Sequence, residues 1–332
     1  MLPRFVALAL LAGLLVVGPA SVSPGPTPSA SVTSAAAAAD ARTAAPRRRD
    51  PRWRRAFYVE PGTSAAFAAA RDPRFDPLAR TPRAKWLLPS HPVTQVRRVA
   101  GSYARAARSS GRTPVVALYA IPGRDCGSYS AGGLTPRQYR AWVRRIAAGL
   151  RGTGAIAVVE PDAVAMLGDC AGQGPRARLL RNAVERLTAA GVWTYLDGGH
   201  SSWQSPAQMA VRLERSGIRR ARGFVTNVAN HRRTAAEGAY ARAVNRALVA
   251  RGIGAKRFLV ETARNGAGPS AEGWCNASTA RVGRRPGMAP KGRRDGFVWV
   301  KHPGESDGDC GRGDPPAGQW WDDGALRLLG VG

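Results

Sequence analysis

Short, continuous apolar runs recur along the chain, separated by longer stretches whose apolar residues fall three or four apart. The runs are Phe57–Val59, Val115–Ile121, Ala155–Val159, Val192–Leu196, Gly223–Val228, Phe258–Glu261 and Phe297–Lys301. They have strand length and do not alternate apolar with polar, so both faces are predicted to be buried. Helices are predicted over Thr135–Leu150, Pro175–Ala190, Ser205–Ser216 and Thr234–Arg251. The first opens on Thr-Pro, a good helix start. Within the second, Arg178-Leu-Leu-Arg-Asn-Ala-Val-Glu-Arg-Leu187 carries the apolar stripe of a helix packed on a sheet. Alternation of strand and helix over most of the chain predicts an α/β fold with parallel strands, either a barrel or an open sheet.

Polar residues gather where these strands end: Arg124-Asp125, Glu160-Pro-Asp162, Asp197, Asn227, Asn230, Arg264-Asn265, Lys301 and Glu305. In a β/α barrel such ends open onto one face, where residues distant in sequence share a cleft. Four aspartates stand there in Gly-, Ser- or Pro-containing motifs: Tyr119-Ala-Ile-Pro-Gly-Arg-Asp125, Val158-Val-Glu-Pro-Asp162, Tyr195-Leu-Asp197-Gly-Gly and Lys301-His-Pro-Gly-Glu-Ser-Asp307. One such aspartate is ordinarily a turn residue. Four together point to carboxylate chemistry, of which glycoside hydrolysis is the commonest form run without metal or cofactor. Trp86, Trp203 and Trp274 lie near these motifs, where indole faces suit the C–H faces of sugars, while Trp142 and Trp193 fall inside a helix and a strand and read as core.

Composition narrows this picture. With 332 residues and 44% hydrophobic content, the chain has enough apolar material for one large domain. Residues 1–22 read as a secretory signal peptide, with an apolar run over Phe5–Val17 too short to span a membrane. Residues 23–55 read as a linker, first rich in Ser, Pro, Thr and Ala, then in arginine. Residues 56–332 form the expected globular domain. The net charge of +28 raises nucleic acid as a partner, but apart from Arg47–Arg55 the arginines are scattered, so no nucleic acid is expected. Cys126, Cys170, Cys275 and Cys310 form no C-x-x-C pair, which argues against zinc; an exported chain with an even count favours two disulfides. Three pairings are open, and the sequential one closes the shortest loops. Gly304-Glu-Ser306-Asp-Gly308 matches a serine-hydrolase elbow, but loop sequence follows it and no histidine lies beyond His302. No metal or cofactor is expected.

Taken in order, Leu118–Gly133, Val158-Val-Glu-Pro-Asp162, Leu196-Asp-Gly-Gly-His-Ser201, Thr226-Asn-Val-Ala-Asn230, Ala263-Arg-Asn-Gly266, Trp274-Cys-Asn276 and Trp299–Gly308 closely resemble glycoside hydrolase family 6, the secreted β-1,4-glucanases. The resemblance runs from about Phe57 to the C-terminus and implies a distorted, partly open β/α barrel that hydrolyses with inversion. It implies Asp162 as general acid, and Asp125 as its pKa-setting neighbour with a part in activating water. Asp307 matches the residue often proposed as base, Asp197 a supporting carboxylate, and Tyr119 the tyrosine pressing on the distorted sugar. Ser130, His200, Asn230, Lys301 and Glu305 match polar substrate-binding positions, and Trp86, Trp203 and Trp274 match stacking positions. Ala131 stands where many relatives have a second serine, and His231 where an aromatic is common. The compact segments after Cys126 and between Cys275 and Cys310 favour an open cleft, hence a monomeric, secreted endoglucanase acting on β-1,4-glucan rather than a cellobiohydrolase. A non-catalytic basic carbohydrate- or polyanion-binding protein is the competing class.

Overall fold

The computed structural model describes residues 50–331. The expected signal peptide and residues 23–49 of the expected linker lie outside them. Eight strands make one sheet: β1 (Lys85–Leu87), β2 (Val115–Leu118), β3 (Ile156–Val159), β4 (Trp193–Asp197), β5 (Gly223–Thr226), β6 (Arg257–Glu261), β7 (Gly287–Lys291) and β8 (Arg294–Val298). Their order is β1-β2-β3-β4-β5-β6-β8-β7, and every neighbour pair is parallel except β7 with β8. The sheet curls until β1 meets the chain leaving β8. There the Ala84 N–H donates to the Trp299 carbonyl at 2.8 Å, and Trp86 Nε1 donates to the Val300 carbonyl at 2.7 Å. The result is a distorted, partly open β/α barrel.

Alternate residues of each strand enter different cores. Ala117, Val158, Tyr195, Val225, Leu259 and Val298 fill the barrel. Leu118, Val159, Leu196, Phe224, Val260 and Phe297 pack outward beneath the helices. Two buried faces explain why the strands are continuous apolar runs. The helices are α1 (Ser64–Arg71), α2 (Asp76–Ala79), α3 (Val96–Ser109), α4 (Pro136–Leu150), α5 (Arg176–Ala189), α6 (Pro206–Arg215), α7 (Thr234–Ala250) and α8 (Asp322–Leu329). In α4, Thr135 and Gln138 close a capping box, Pro136 begins the first turn, and Tyr139, Trp142, Val143, Ile146 and Leu150 bury one face. The helices α4 to α7 are those the periodicity predicts.

Some expectations are corrected. Phe57–Val59 is not a strand; Phe57 makes one isolated bridge to Thr113, and the three-residue β1 takes the first place in the sheet. The final parallel strand ends at Val298 rather than Lys301. The edge strand β7 escaped detection because it carries Pro290 and is largely unburied, features that also protect an exposed edge. The helix α3 escaped because its buried face is mostly alanine and glycine. It approaches α4 so closely that a Cβ on Gly149 would sit 2.5 Å from the Arg97 carbonyl. The cysteines pair sequentially, Cys126–Cys170 and Cys275–Cys310. Trp193 is only partly buried, with the Arg222 guanidinium 3.3 Å from its ring centroid.

Candidate active site

The loops leaving β2, β3 and β4 bring three of the four aspartates within electrostatic reach of one another. After β2 the chain turns through Asp125 and Cys126, both at positive φ (56° and 47°), with the disulfide to Cys170 tying the turn to the loop after β3. Asp125 Oδ2 accepts from the Ser130 N–H and from Ser130 Oγ, each at 2.7 Å. Ser130 Oγ in turn lies 2.8 Å from the Tyr119 hydroxyl. Arg124 locks this loop, donating to the carbonyls of Ser130 (2.6 Å) and Tyr119 (2.8 Å). The return of the loop needs Gly133: φ is 115°, and a Cβ would lie 2.0 Å from the Ile121 carbonyl oxygen.

Asp162 leaves β3 at φ 68°, two residues after Glu160 at φ 51°. Asp197 Oδ2, at the end of β4, accepts the Asp162 N–H at 2.5 Å, and its Oδ1 accepts the Gly199 N–H at 3.1 Å. Burial pushes the Asp162 carboxyl well above the usual range, with the charges of Asp197 and then Asp125 adding to the rise and Arg176 opposing it. Burial also raises Asp197, against backbone N–H groups that favour its ionised form. The protonated form of Asp162 is therefore favoured. Burial, followed by the nearby charge of Asp162, likewise raises the Tyr119 phenol and keeps it neutral.

Asp307 occupies the opposite kind of environment. Burial alone would raise its pKa, but Arg264 at 2.5 Å and Lys301 at 2.8 Å pull it well below the carboxylate range. Asn276 grips the same residue from both sides, its N–H donating to Oδ2 at 2.9 Å and its Oδ1 accepting the Asp307 N–H at 2.7 Å. That residue also donates through Nδ2 to Ser306, Gly308 and Asp314, so the sequon pattern is part of an internal scaffold. Ser306 is 1% exposed and donates to the Pro315 carbonyl, the role of a loop strut. Glu305 is lowered to about 2: burial opposes the shift, and His302, Ser64 and Lys301 produce it.

The two groups are joined by aromatic residues. Trp86 meets the Tyr119 ring edge-on at 5.1 Å while holding the Val300 carbonyl, just ahead of Lys301. Trp274 is 44% exposed and meets Tyr129 at 6.3 Å, which in turn lies against Gly308. His200 and Trp203 pair at 5.5 Å beside the β4 end, with Trp203 leaning on the outer core. Asn230 spends its Oδ1 on the His231 N–H (2.9 Å), and His231 is 1% exposed with neither ring nitrogen partnered.

Sequence reasoning did not single out Glu160, Arg264 or Asn276 as site residues. Glu160 Oε2 accepts the N–H groups of Ala120 (2.9 Å) and Ile121 (3.0 Å), pinning the exit of β2 to that of β3. Arg264 and Asn276 stand within motifs already noted, but only the fold shows that both meet Asp307. The eight non-glycine residues at positive φ among those described are Asp125, Cys126, Glu160, Asp162, Asn227, Ala229, Asn276 and Cys310. All lie in loops beyond strand C-terminal ends, the distribution expected of strain retained at a working site.

A parallel barrel with a carboxylate cleft at its strand ends defines the class, a barrel hydrolase of glycosides. The family model described as Glycosyl hydrolases family 6 matches residues 54–331, and the chain belongs to this family. It is 39% identical over 278 residues to Endoglucanase A of Cellulomonas fimi, covering 82% of this chain and 60% of that relative. It is 37% identical over 290 residues to Endoglucanase 1 of Streptomyces halstedii, covering 82% and 88%. Among solved structures, the endoglucanase Cel6 of Mycobacterium tuberculosis, in complex with a methyl-cellobiosyl thio-cellobioside, superposes with a TM-score of 0.80. That likeness has 38% identity and covers 85% of this chain and 99% of that one.

Proposed function

We propose that this protein is an inverting glycoside hydrolase that cuts internal β-1,4-glucosidic bonds of a soluble or amorphous glucan, acting outside the cell as a monomer. The observation that carries the reading is the placement of Asp125, Asp162 and Asp197 beyond the ends of β2, β3 and β4, where burial and the adjoining charges of Asp197 and Asp125 raise the Asp162 carboxyl. In this reading it gives its proton to the leaving glycosidic oxygen as the C–O bond breaks. A water attacks the anomeric carbon from the opposite face of the ring and loses its proton toward Asp125, with Ser130 as the relay between them. Tyr119, neutral and edge-on to Trp86, presses on the sugar at the cleavage point. Asp307 is a poor base because Arg264 and Lys301 already satisfy its charge; its proposed role is to hold Lys301 and the Asn276 loop in place. Trp86, Trp203 and Trp274 serve as stacking surfaces, and His200, Asn230, Lys301 and Glu305 as polar contacts.

Endo action is supported by relatives named endoglucanases and by the compact segments after Cys126 and between Cys275 and Cys310. Reducing-sugar release from carboxymethylcellulose, measured beside viscosity, tests both parts. Asp162→Ala is expected to lose about 10²–10⁴-fold in rate while still binding cello-oligosaccharide. Undiminished turnover in that variant removes the acid assignment, and cellobiose release without viscosity loss transfers the protein to the exo class.

A further inference from the structure

The outer helical layer of the barrel has a gap. The chain passes from β5 to β6 through α7, but from β6 to β8 it returns through loops and the antiparallel β7 with no intervening helix. One flank of α7 is left uncovered, and a groove of about 780 Å³ opens along it, within the size range of small-ligand sites. Gly238, Arg242, Arg246 and Val249 line it from α7, three or four residues apart and so on one stripe. The β7–β8 turn supplies Lys291, Arg293 and Arg294 opposite them, and Phe258 and Val260, from the outer face of β6, make the floor. None of its lining residues belongs to the carboxylate site.

Its chemistry is two-sided. Five of the lining residues are lysine or arginine and none is acidic. Among the described residues, Arg242, Arg246, Lys291 and Arg293 take part in no ion pair. Arg251, just beyond the C-terminal end of α7, shares Glu214 with Arg219, so nearby arginines do find carboxylates. Arg294 is held below the usual guanidinium range by burial and by the like charge of Arg284. Between these cations the surface is aliphatic, and Val249 is 54% exposed. The one aromatic lining residue, Phe258, is 3% exposed and stacked on Phe224, so no ring face is offered to a sugar. The floor residues Phe258 and Val260 are themselves buried, so the apolar surface on offer is Val249 with half-buried Ala255. A ligand of charge alone would leave that surface wet, and a neutral chain would leave the cations unanswered.

We propose that this groove binds a single-chain amphiphile with a phosphate, sulfate or carboxylate head, its alkyl chain on Val249 and Ala255 and its head among Arg242, Arg246 and Arg293. Titration calorimetry with monomeric dodecyl phosphate, below its micelle concentration and at physiological salt, tests the proposal against two probes. Dodecyl maltoside supplies the chain without the charge, and tripolyphosphate the charge without the chain. Saturable one-to-one binding of dodecyl phosphate is expected, at least tenfold tighter than either probe. Both the double variant Arg242→Gln/Arg246→Gln and Val249→Asp should weaken it at least tenfold with unchanged thermal midpoints, since all three side chains are exposed. A matched loss of two exposed charges on α4, Arg140→Gln/Arg144→Gln, should leave binding intact. Equal weakening by the α4 variant, binding at many equivalent sites, or tripolyphosphate binding as tightly as dodecyl phosphate would overturn the proposal in favour of general attraction to a basic surface. Hydrolysis of a neutral glucan should be the same in all these variants, which separates failure here from failure of the glucanase reading.

Discussion

Asp162 and Asp307 both lie beyond strand C-terminal ends, yet their surroundings push their pKa values in opposite directions. Asp162 has acidic neighbours and is raised; Asp307 has two cations within 2.8 Å and is lowered. In the proposed mechanism Asp162 must be protonated to act as the acid, so activity should fall as pH climbs through its raised pKa. Asp197→Asn removes one of the charges that raises it, so the alkaline limb of kcat/KM should move to lower pH; a limb that stays put would detach Asp197 from the acid. For Asp307 the consequence is stability. Its carboxylate ionises more readily folded than unfolded, so the stabilisation is complete above the unfolded pKa of about 3.9 and is lost as pH falls below it. Asp307→Asn should cost about 3–5 kcal/mol at pH 7, because buried Arg264 and partly buried Lys301 lose their counter-charge. Urea unfolding should find the gap from the parent narrower at pH 3, and an equal gap at both pH values would contradict the ion-pair account.

At the scale of elements, the site depends on carboxylates that tie one strand exit to the next. Glu160 at the end of β3 holds the chain leaving β2, and Glu261 at the end of β6 accepts the N–H groups of Val300 (3.3 Å) and Lys301 (3.2 Å) beyond β8. Each fixes two backbone donors where a strand ladder has stopped but the chain remains buried. Glu160→Ala strands two such donors, at about 1–3 kcal/mol for each, and frees the segment between Tyr119 and Asp125. Both the denaturation midpoint and kcat should fall, and a parental midpoint would show that the clamp carries no load. Helices α4 to α7 and most parallel strands were legible in the sequence because two buried faces and a 3.6-residue stripe are strong patterns. The short strand β1, the edge strand β7 and α3 were not, because three residues, a proline-bearing edge and an alanine face carry little apolar signal.

At the scale of the molecule, the arginine-rich stretch before Ala56 is partly built into the fold. Asp50 caps a short 3-10 helix, Pro51–Trp53, and Arg52 donates to the Gly191 carbonyl at 3.1 Å, just ahead of β4. Trp53 meets Trp193 edge-on at 5.2 Å, and Arg222 and Arg257 lie over its ring at 5.1 and 5.8 Å. Behind them Asp295 joins Arg222 and Tyr195 inside the barrel. This cluster closes the end of the barrel opposite the cleft. Trp53→Ala should lower stability by about 2–3 kcal/mol, from lost apolar burial and cation–π contacts. A chain starting at Ala56 should melt earlier than one starting at Asp50, and equal melting temperatures would make the cluster incidental. The sequence by itself determined the parallel strand–helix architecture and the family, because these follow from local apolar patterns and ordered motifs. Only the tertiary structure decided the cysteine pairing, the closure of the barrel and which carboxyl keeps its proton. A pKa depends on burial and on charges a few ångströms away, and Asp125, Asp162 and Asp197, like Arg264, Lys301 and Asp307, become neighbours only when the strand ends meet.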